Sequence, residues 1–321
     1  MSQFNNTLGR WDATDSYFIT NQLQSFDPTT RYELVPGIVG RKYIPRIENV
    51  SPDLPSYKYT MTRVVGRTLK SGRKAKDGPT VQVVKTELTN TIRTFEESAG
   101  WTVDEVRAAR ATGSNLDMDM MTAAITSIEQ QFDSALCSGI PGTGITGLAN
   151  NANIVGTAAA GSWLAPATGD AIVADVKKLI TDASSALKQA QVPGSGMRMF
   201  DQFVLWLPLA QYQFIDMTPR SATSPSDMTI LQYISKFSAL KAVIPWWRLD
   251  TAGGSAAPIA VLAPALDNGS MNPLAGGALL PMDFERLPEQ YSGRNVTVPC
   301  AGKCGGMVIP YPVAYRYLTG L

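Results

Sequence analysis

Met121, Ile125, Ile128, Phe132 and Ala135 stand four, three, four and three residues apart. An α-helix turns about every 3.6 residues, so this spacing lays the apolar side chains on one stripe. The stripe predicts a helix from Asn115 to Gly139. Ser114 with Asp117 supplies a start signal, Asp119 suits the positive end of the helix dipole, and Gly139 followed by Pro141 stops the run. At roughly 1.5 Å per residue the helix is about 36 Å long. It has the proportions of a spine, with Ile125, Ile128 and Phe132 facing a sheet.

Residues 56–92 follow a different rule. Tyr57, Tyr59, Met61, Val64 and Val65 on one side, and Val81, Val83 and Val84 on the other, flank the polar tip Lys70-Ser-Gly-Arg-Lys-Ala-Lys-Asp-Gly-Pro79. Two β-rich arms around a Gly/Pro turn predict a long hairpin. From Lys58 to Lys85 it carries eight basic residues (Lys58, Arg63, Arg67, Lys70, Arg73, Lys74, Lys76 and Lys85) against Asp77 alone. A two-stranded ribbon without a core is marginal in water, so the element is expected to dock on another surface. Ahead of it, residues 1–55 carry Pro28, Pro36, Pro45, Pro52 and Pro55 and show no long period. They read as an extended segment, either a loose tail or an arm laid along neighbours.

Beyond the spine, Ile172, Val176, Leu179, Ile180, Ala183 and Leu187 predict a second amphipathic helix over 168–191, and Phe203-Val-Leu-Trp-Leu207 a buried strand. A short helix follows Pro208. Another is capped by Ser226 and carries Ile230, Leu231, Ile234 and Phe237. Strands are expected at Ala242–Trp247, Ile259–Leu262, Asn295–Val298 and Met307–Tyr311. Helices and strands mixed, with a late return of strands, argue for an α+β fold rather than a regular βαβ winding.

Chemistry is bounded by what is missing. The 321 residues contain no histidine, which removes the commonest general base, triad partner and zinc-ligating side chain. Cys137, Cys300 and Cys304 make an odd set that does not read as a disulfide framework, and two nearby thiols fall short of a zinc site; they are expected to be reduced. Gly142-Thr-Gly-Ile-Thr-Gly147 matches G-x-G-x-x-G, but it follows a helix and opens none, so it reads as a turn rather than a dinucleotide loop. Glu96-Glu97 and Asp104-Glu105 read as solvated faces. No catalytic, cofactor-binding or metal-binding residue is assigned, and no enzyme activity is expected. Only 17% of residues are charged and the net charge is +1; such a deficit suits either surface buried against neighbours or a large core. No signal pattern stands at the N-terminus and the longest apolar run, Ala256–Leu266, is about half a membrane span.

The order of parts resembles the tailed-bacteriophage major capsid proteins, whose fold is shared with bacterial encapsulins. The likeness also rests on Asp53-Leu-Pro55 before the hairpin, Gly144-Ile-Thr-Gly-Leu148 after the spine, and three closing stretches: Gly293-Arg-Asn-Val-Thr-Val-Pro299, Gly305-Gly-Met-Val-Ile-Pro-Tyr-Pro312 and Tyr317-Leu-Thr-Gly-Leu321. The resemblance implies an N-terminal arm (1–55), an extended loop (56–92), a peripheral domain with the spine helix (93–145), an axial domain (146–285) and C-terminal strands returning to the core (286–321). It further implies a shell subunit that forms hexamers and pentamers with itself and holds double-stranded DNA non-specifically. A separate scaffolding protein, a portal protein and in some cases a decoration protein are its implied partners, with no membrane. The expected location is the virion, after assembly in the bacterial host cytoplasm. Arg63, Arg67, Lys70, Arg73, Lys74 and Lys76 become candidates for contacts between subunits. The alternatives are an encapsulin-like nanocompartment shell and a nucleotide-dependent enzyme using the Gly142–Gly147 loop.

Overall fold

The computed structural model describes residues 34–65, 80–112, 116–164, 168–187, 200–221, 228–253, 257–266 and 268–321. The chain divides into a short unit, Met1–Gly37, and a body, Ile38–Leu321, which carries every described helix and strand. The body opens with a one-turn helix, α1 (Gly40–Tyr43). The hairpin follows as two ten-residue strands, β1 (Ser56–Val65) and β2 (Gln82–Thr91), paired antiparallel from Ser56↔Thr91 out to Val65↔Gln82. The chain continues as β3 (Arg93–Thr102) and then α2 (Val103–Thr112), a helix that apolar periodicity does not signal. Its start is written in Thr102-x-x-Glu105: the Glu105 N–H donates to Thr102 Oγ1 at 3.2 Å, and the Thr102 N–H donates to Glu105 Oε2 at 2.8 Å.

The spine is α3 (Leu116–Ser138). Ile128, Phe132 and Ala135 are buried on it, whereas Ile125 is 41% exposed, which corrects the expectation that it faces a sheet. Ile125 lies two turns before Phe132 on nearly the same side of the helix. Burial continues past it on the other flank of the stripe, where Ala124 is 4% exposed and Met121 packs against the same core, whereas Met118, farther towards that end, is exposed. Gly139 ends the helix at φ +66°, its N–H donating to the Ala135 carbonyl; a Cβ there would stand 2.4 Å from the Ile145 carbonyl oxygen.

After β4 (Val155–Ala158) comes α4 (Gly169–Leu187), with Ile172, Val173, Val176, Leu179 and Ala183 buried. Strand β5 (Phe203–Leu207) is buried at every position, and α5 (Leu209–Met217) follows Pro208. Helix α6 (Ile230–Ile234) is capped by Thr229, whose Oγ1 accepts from the Gln232 N–H while the Gln232 side chain accepts from the Thr229 N–H; Ser226, the expected cap, lies outside the described residues. Phe237 lies beyond the end of the helix. Strand β6 (Leu240–Pro245) stops before Trp247, which opens a 3-10 turn to Asp250. The remaining strands are β7 (Ile259–Pro264), β8 (Gly277–Ala278), β9 (Met282–Arg286), β10 (Gln290–Ser292), β11 (Asn295–Cys304), β12 (Met307–Val308) and β13 (Arg316–Thr319). β12 is shorter than the expected run to Tyr311, which contains Pro310. β11 extends well past Val298 despite Pro299. That proline falls between the stretch of β11 paired with β10, up to Thr297, and the stretch paired with β9, from Cys300, where a missing N–H disturbs the ladder least.

The strands form a four-stranded sheet, in which β11 lies between β3 and the β9 and β10 segments, and a five-stranded sheet in the order β4-β13-β7-β5-β6. Both faces of the second sheet are covered, so its central strands are apolar throughout. Val204 and Trp206 point to a core shared with Ile128, Phe132 and Leu136 of the spine and with Val298 and Cys300 of β11. Phe203, Leu205 and Leu207 point the other way, onto Ile172, Val176 and Leu179 of α4. The spine thus packs against both sheets. Its contact with the first is close: a Cβ on Gly302 would stand 2.5 Å from Phe132 Cζ.

Candidate functional site

The hairpin has one face formed by Tyr57, Tyr59, Met61, Arg63 and Val65 opposite Asn90, Leu88, Thr86, Val84 and Gln82. At its base Tyr57 and Tyr59 lie with ring centroids 6.2 Å apart, against the small core of Ile92, Leu279 and Val308. Burial, and the neighbouring Tyr57, push the Tyr59 hydroxyl above the usual tyrosine range. Farther out the body no longer supports it. Leu88, Val84 and Val65 continue that face in the open, and Val64 opposite Val83 adds one apolar pair on the other face; these side chains are 39–56% exposed. Water disfavours such a patch on an isolated ribbon. Covering each half-exposed side chain stabilises by roughly 1 kcal/mol.

Of the six basic candidates, Arg63 stands exposed opposite Val84 and makes no ion pair among the described residues. Arg67, Lys70, Arg73, Lys74 and Lys76 lie outside the described residues. Lys58 and Lys85 are exposed on the opposite face from Arg63.

A second feature, absent from the sequence reading, is the polar centre at Asp133. Its carboxylate is 1% exposed and accepts four hydrogen bonds. The N–H groups of Val39 and Gly40 donate to Oδ1 at 3.2 and 2.8 Å. Trp246 Nε1 and Arg248 Nε donate to Oδ2 at 3.2 and 2.6 Å. Arg248 also reaches the Gln130 carbonyl at 2.8 Å and lies 4.5 Å from the Trp247 ring centroid. Around this centre Arg41 pairs with Glu129 and, at 2.9 Å, with Asp283, which Arg46 meets at 2.8 Å. The spine, α1 with its flanking residues, the Trp247 turn and β9 are therefore tied by two neighbouring ion clusters. The available signal was an aspartate beside Phe132, at the edge of the buried stripe; a buried charge implies partners but does not name them.

Among the described residues no group of three or more cysteine or acidic side chains could hold a metal ion. Residues 140–145 form a turn closed by an Ile140↔Ile145 bridge, and the Gly147 N–H is taken by the Asn150 side chain at 2.7 Å. No helix starts there, so no helix end is available for a pyrophosphate. The three cysteines are buried and free, with burial pushing the Cys304 thiol up to about 11 and raising Cys137 and Cys300 as well. Among the described residues no helix is long and apolar enough to cross a membrane.

Comparison with known proteins gives three results. The model of the family described as "Major capsid protein" matches residues 68–321. No curated protein matches. Among solved structures, the capsid of Myoviridae phage XM1 superposes with a TM-score of 0.78 at 17% identity, covering 94% of this chain and 98% of that one. A chain from Mycobacterium phage Ogopogo gives 0.60 at 12% identity, covering 94% and 98%. A virus-like particle from Pyrococcus furiosus gives 0.52 at 13% identity, covering 87% and 91%.

Proposed function

Because this chain belongs to the major capsid protein family, we propose that its copies, set out as hexamers and pentamers, close into the icosahedral head shell of a tailed bacteriophage around double-stranded DNA. The protein is a structural component of a capsid, assembles with copies of itself, and has the fold of the tailed-phage capsids. The proposed division of labour is an arm (1–55), an extended loop (56–92), a peripheral part (93–145), an axial part (146–285) and returning strands (286–321). A separate scaffolding protein guides assembly in the host cytoplasm, a portal protein occupies one vertex, a decoration protein is accommodated outside, and DNA is held without sequence preference. The role is structural rather than catalytic. A nanocompartment shell is the rival reading; the higher TM-score with the phage capsid than with the virus-like particle, 0.78 against 0.52, supports the phage head.

The hairpin supplies the contact between subunits. The observation that carries this is its outer half, where Val64, Val65, Val83 and Val84 stand among Arg63, Gln82 and Lys85 and are left uncovered by its own body. Arg63, Arg67, Lys70, Arg73, Lys74 and Lys76 add contacts worth about 0.2–1 kcal/mol each that weaken with salt. The test is Arg67→Glu/Arg73→Glu/Lys74→Glu, with closed particles counted by electron microscopy. A folded protein that no longer forms shells supports the reading. Normal empty shells that have lost only DNA retention overturn it and assign the charge to the genome.

A further inference from the structure

Between α4 and the turn leaving α6 lies an open groove of about 470 Å³. Ile180, Phe237 and Ala239 give it apolar lining, and Thr181 and Ser238 bring hydroxyls. Lys177 and Lys236 bring ammonium groups, and no carboxylate lines it among the described residues. Lys177 is held before anything binds: its Nζ lies 5.8 Å from the Tyr233 ring centroid and 5.7 Å from that of Phe237, and those two rings meet edge-on at 5.6 Å. The next cation along, Arg220, stacks on Tyr233 at 4.1 Å and is paired with Asp170 at 3.2 Å, so the carboxylate beside it is already engaged.

We infer that this groove docks an acidic peptide segment of a partner protein, one that carries an apolar side chain between carboxylates. Two positive charges, one of them held by two rings, and two hydroxyls around an apolar floor ask for an occupant that is anionic at its edges and greasy in its middle. Volume agrees, since clefts of a few hundred Å³ take groups the size of a few side chains. Duplex nucleic acid would supply phosphates for the lysines but nothing for Ile180 and Phe237. The hairpin of a second copy is rich in lysine and arginine, so like charge would repel it from Lys177 and Lys236. An ammonium positioned by two rings also loses less freedom on binding, which favours recognition by so short a segment.

The test uses assembled wild-type shells and a fluorescein-labelled peptide, Glu-Asp-Leu-Phe-Glu-Asp, followed by fluorescence anisotropy. Saturable binding that weakens with added salt is expected. Lys177→Glu/Lys236→Glu should weaken it by about tenfold or more while shells still form. Ser238→Trp, which fills the groove without changing charge, should abolish it, and it decides the matter if the double variant does not fold. A peptide with alanine in place of Leu-Phe should bind about tenfold more weakly than the parent. The inference is overturned if both variants bind the peptide as wild type does, or if a labelled DNA duplex binds at these lysines and the peptide does not. It is equally overturned if wild-type shells bind no peptide while Lys177→Glu/Lys236→Glu stops assembly, which would make the groove a contact between copies.

Discussion

Replacing Asp133 with alanine removes the acceptor for four donors at once: two backbone N–H groups, the Trp246 indole and the Arg248 guanidinium. The charge pair dominates. Arg248 has 17% of its side chain exposed, so its guanidinium keeps some water, yet it loses the contact at 2.6 Å. Breaking a buried pair from one side costs about 3–5 kcal/mol, and each stranded neutral donor adds about 1 kcal/mol unless water reaches it. Unfolding entropy of about 2.1 cal/mol/K per residue gives about 0.7 kcal/mol/K for this chain, so a loss of 3–5 kcal/mol lowers Tm by roughly 4–7 °C. The assay is circular dichroism of the unassembled protein at fixed concentration, because assembly itself shifts the transition. Asp133→Asn should recover little, since an amide offers one acceptor oxygen and turns its NH2 towards the donors that the second carboxylate oxygen accepted from. A double-mutant cycle with Arg248→Ala should return a coupling of about 0.5–3 kcal/mol. If Asp133→Ala melts within a degree of wild type, the centre is not the tie between spine, α1 and the Trp247 turn that its geometry describes.

Phe132→Ala should destabilise by about 3–5 kcal/mol, because the ring is fully buried against Phe95 and the Gly302 backbone; an unchanged urea midpoint would contradict the packing. Gly302→Ala should cost about 1–3 kcal/mol by overpacking and be partly rescued by Phe132→Leu, read from the same midpoint. Val83→Thr/Val84→Thr/Leu88→Thr should leave the melting of unassembled protein within about 0.5 kcal/mol yet lower shell yield in sedimentation; shells formed at wild-type yield would refute the hairpin contact. Raised thiols give the alkaline limit. The folded chain keeps a proton on Cys304 up to about 11, whereas the unfolded thiol releases it near its ordinary value of 9.0, so stability is full below that value and falls as pH rises towards 11. The slope is up to about 1.4 kcal/mol per pH unit, and a Tm that rises over this window would overturn it.

The sequence alone determined the elements whose cause is local. The spine is legible because 3.6-residue periodicity, an early acidic residue and a glycine stop are properties of consecutive positions. The hairpin is legible because β-rich arms and a Gly/Pro tip need no partner to declare themselves, and the lack of histidine limited the chemistry before any fold was known. What only tertiary structure decided has its origin in distance along the chain. Periodicity says which side of α3 is apolar, but which of those side chains is covered depends on what packs there: Ala124 and Ile128 are buried, and Ile125 between them is 41% exposed. Strand partners behave likewise: β11 pairs with β3 across some two hundred residues, and no local pattern sets that register. Asp133 is the strongest case, since its donors come from Val39, Gly40, Trp246 and Arg248, more than ninety residues away on either side. A buried charge is stable only where the fold gathers its partners, and the gathering is done by the fold.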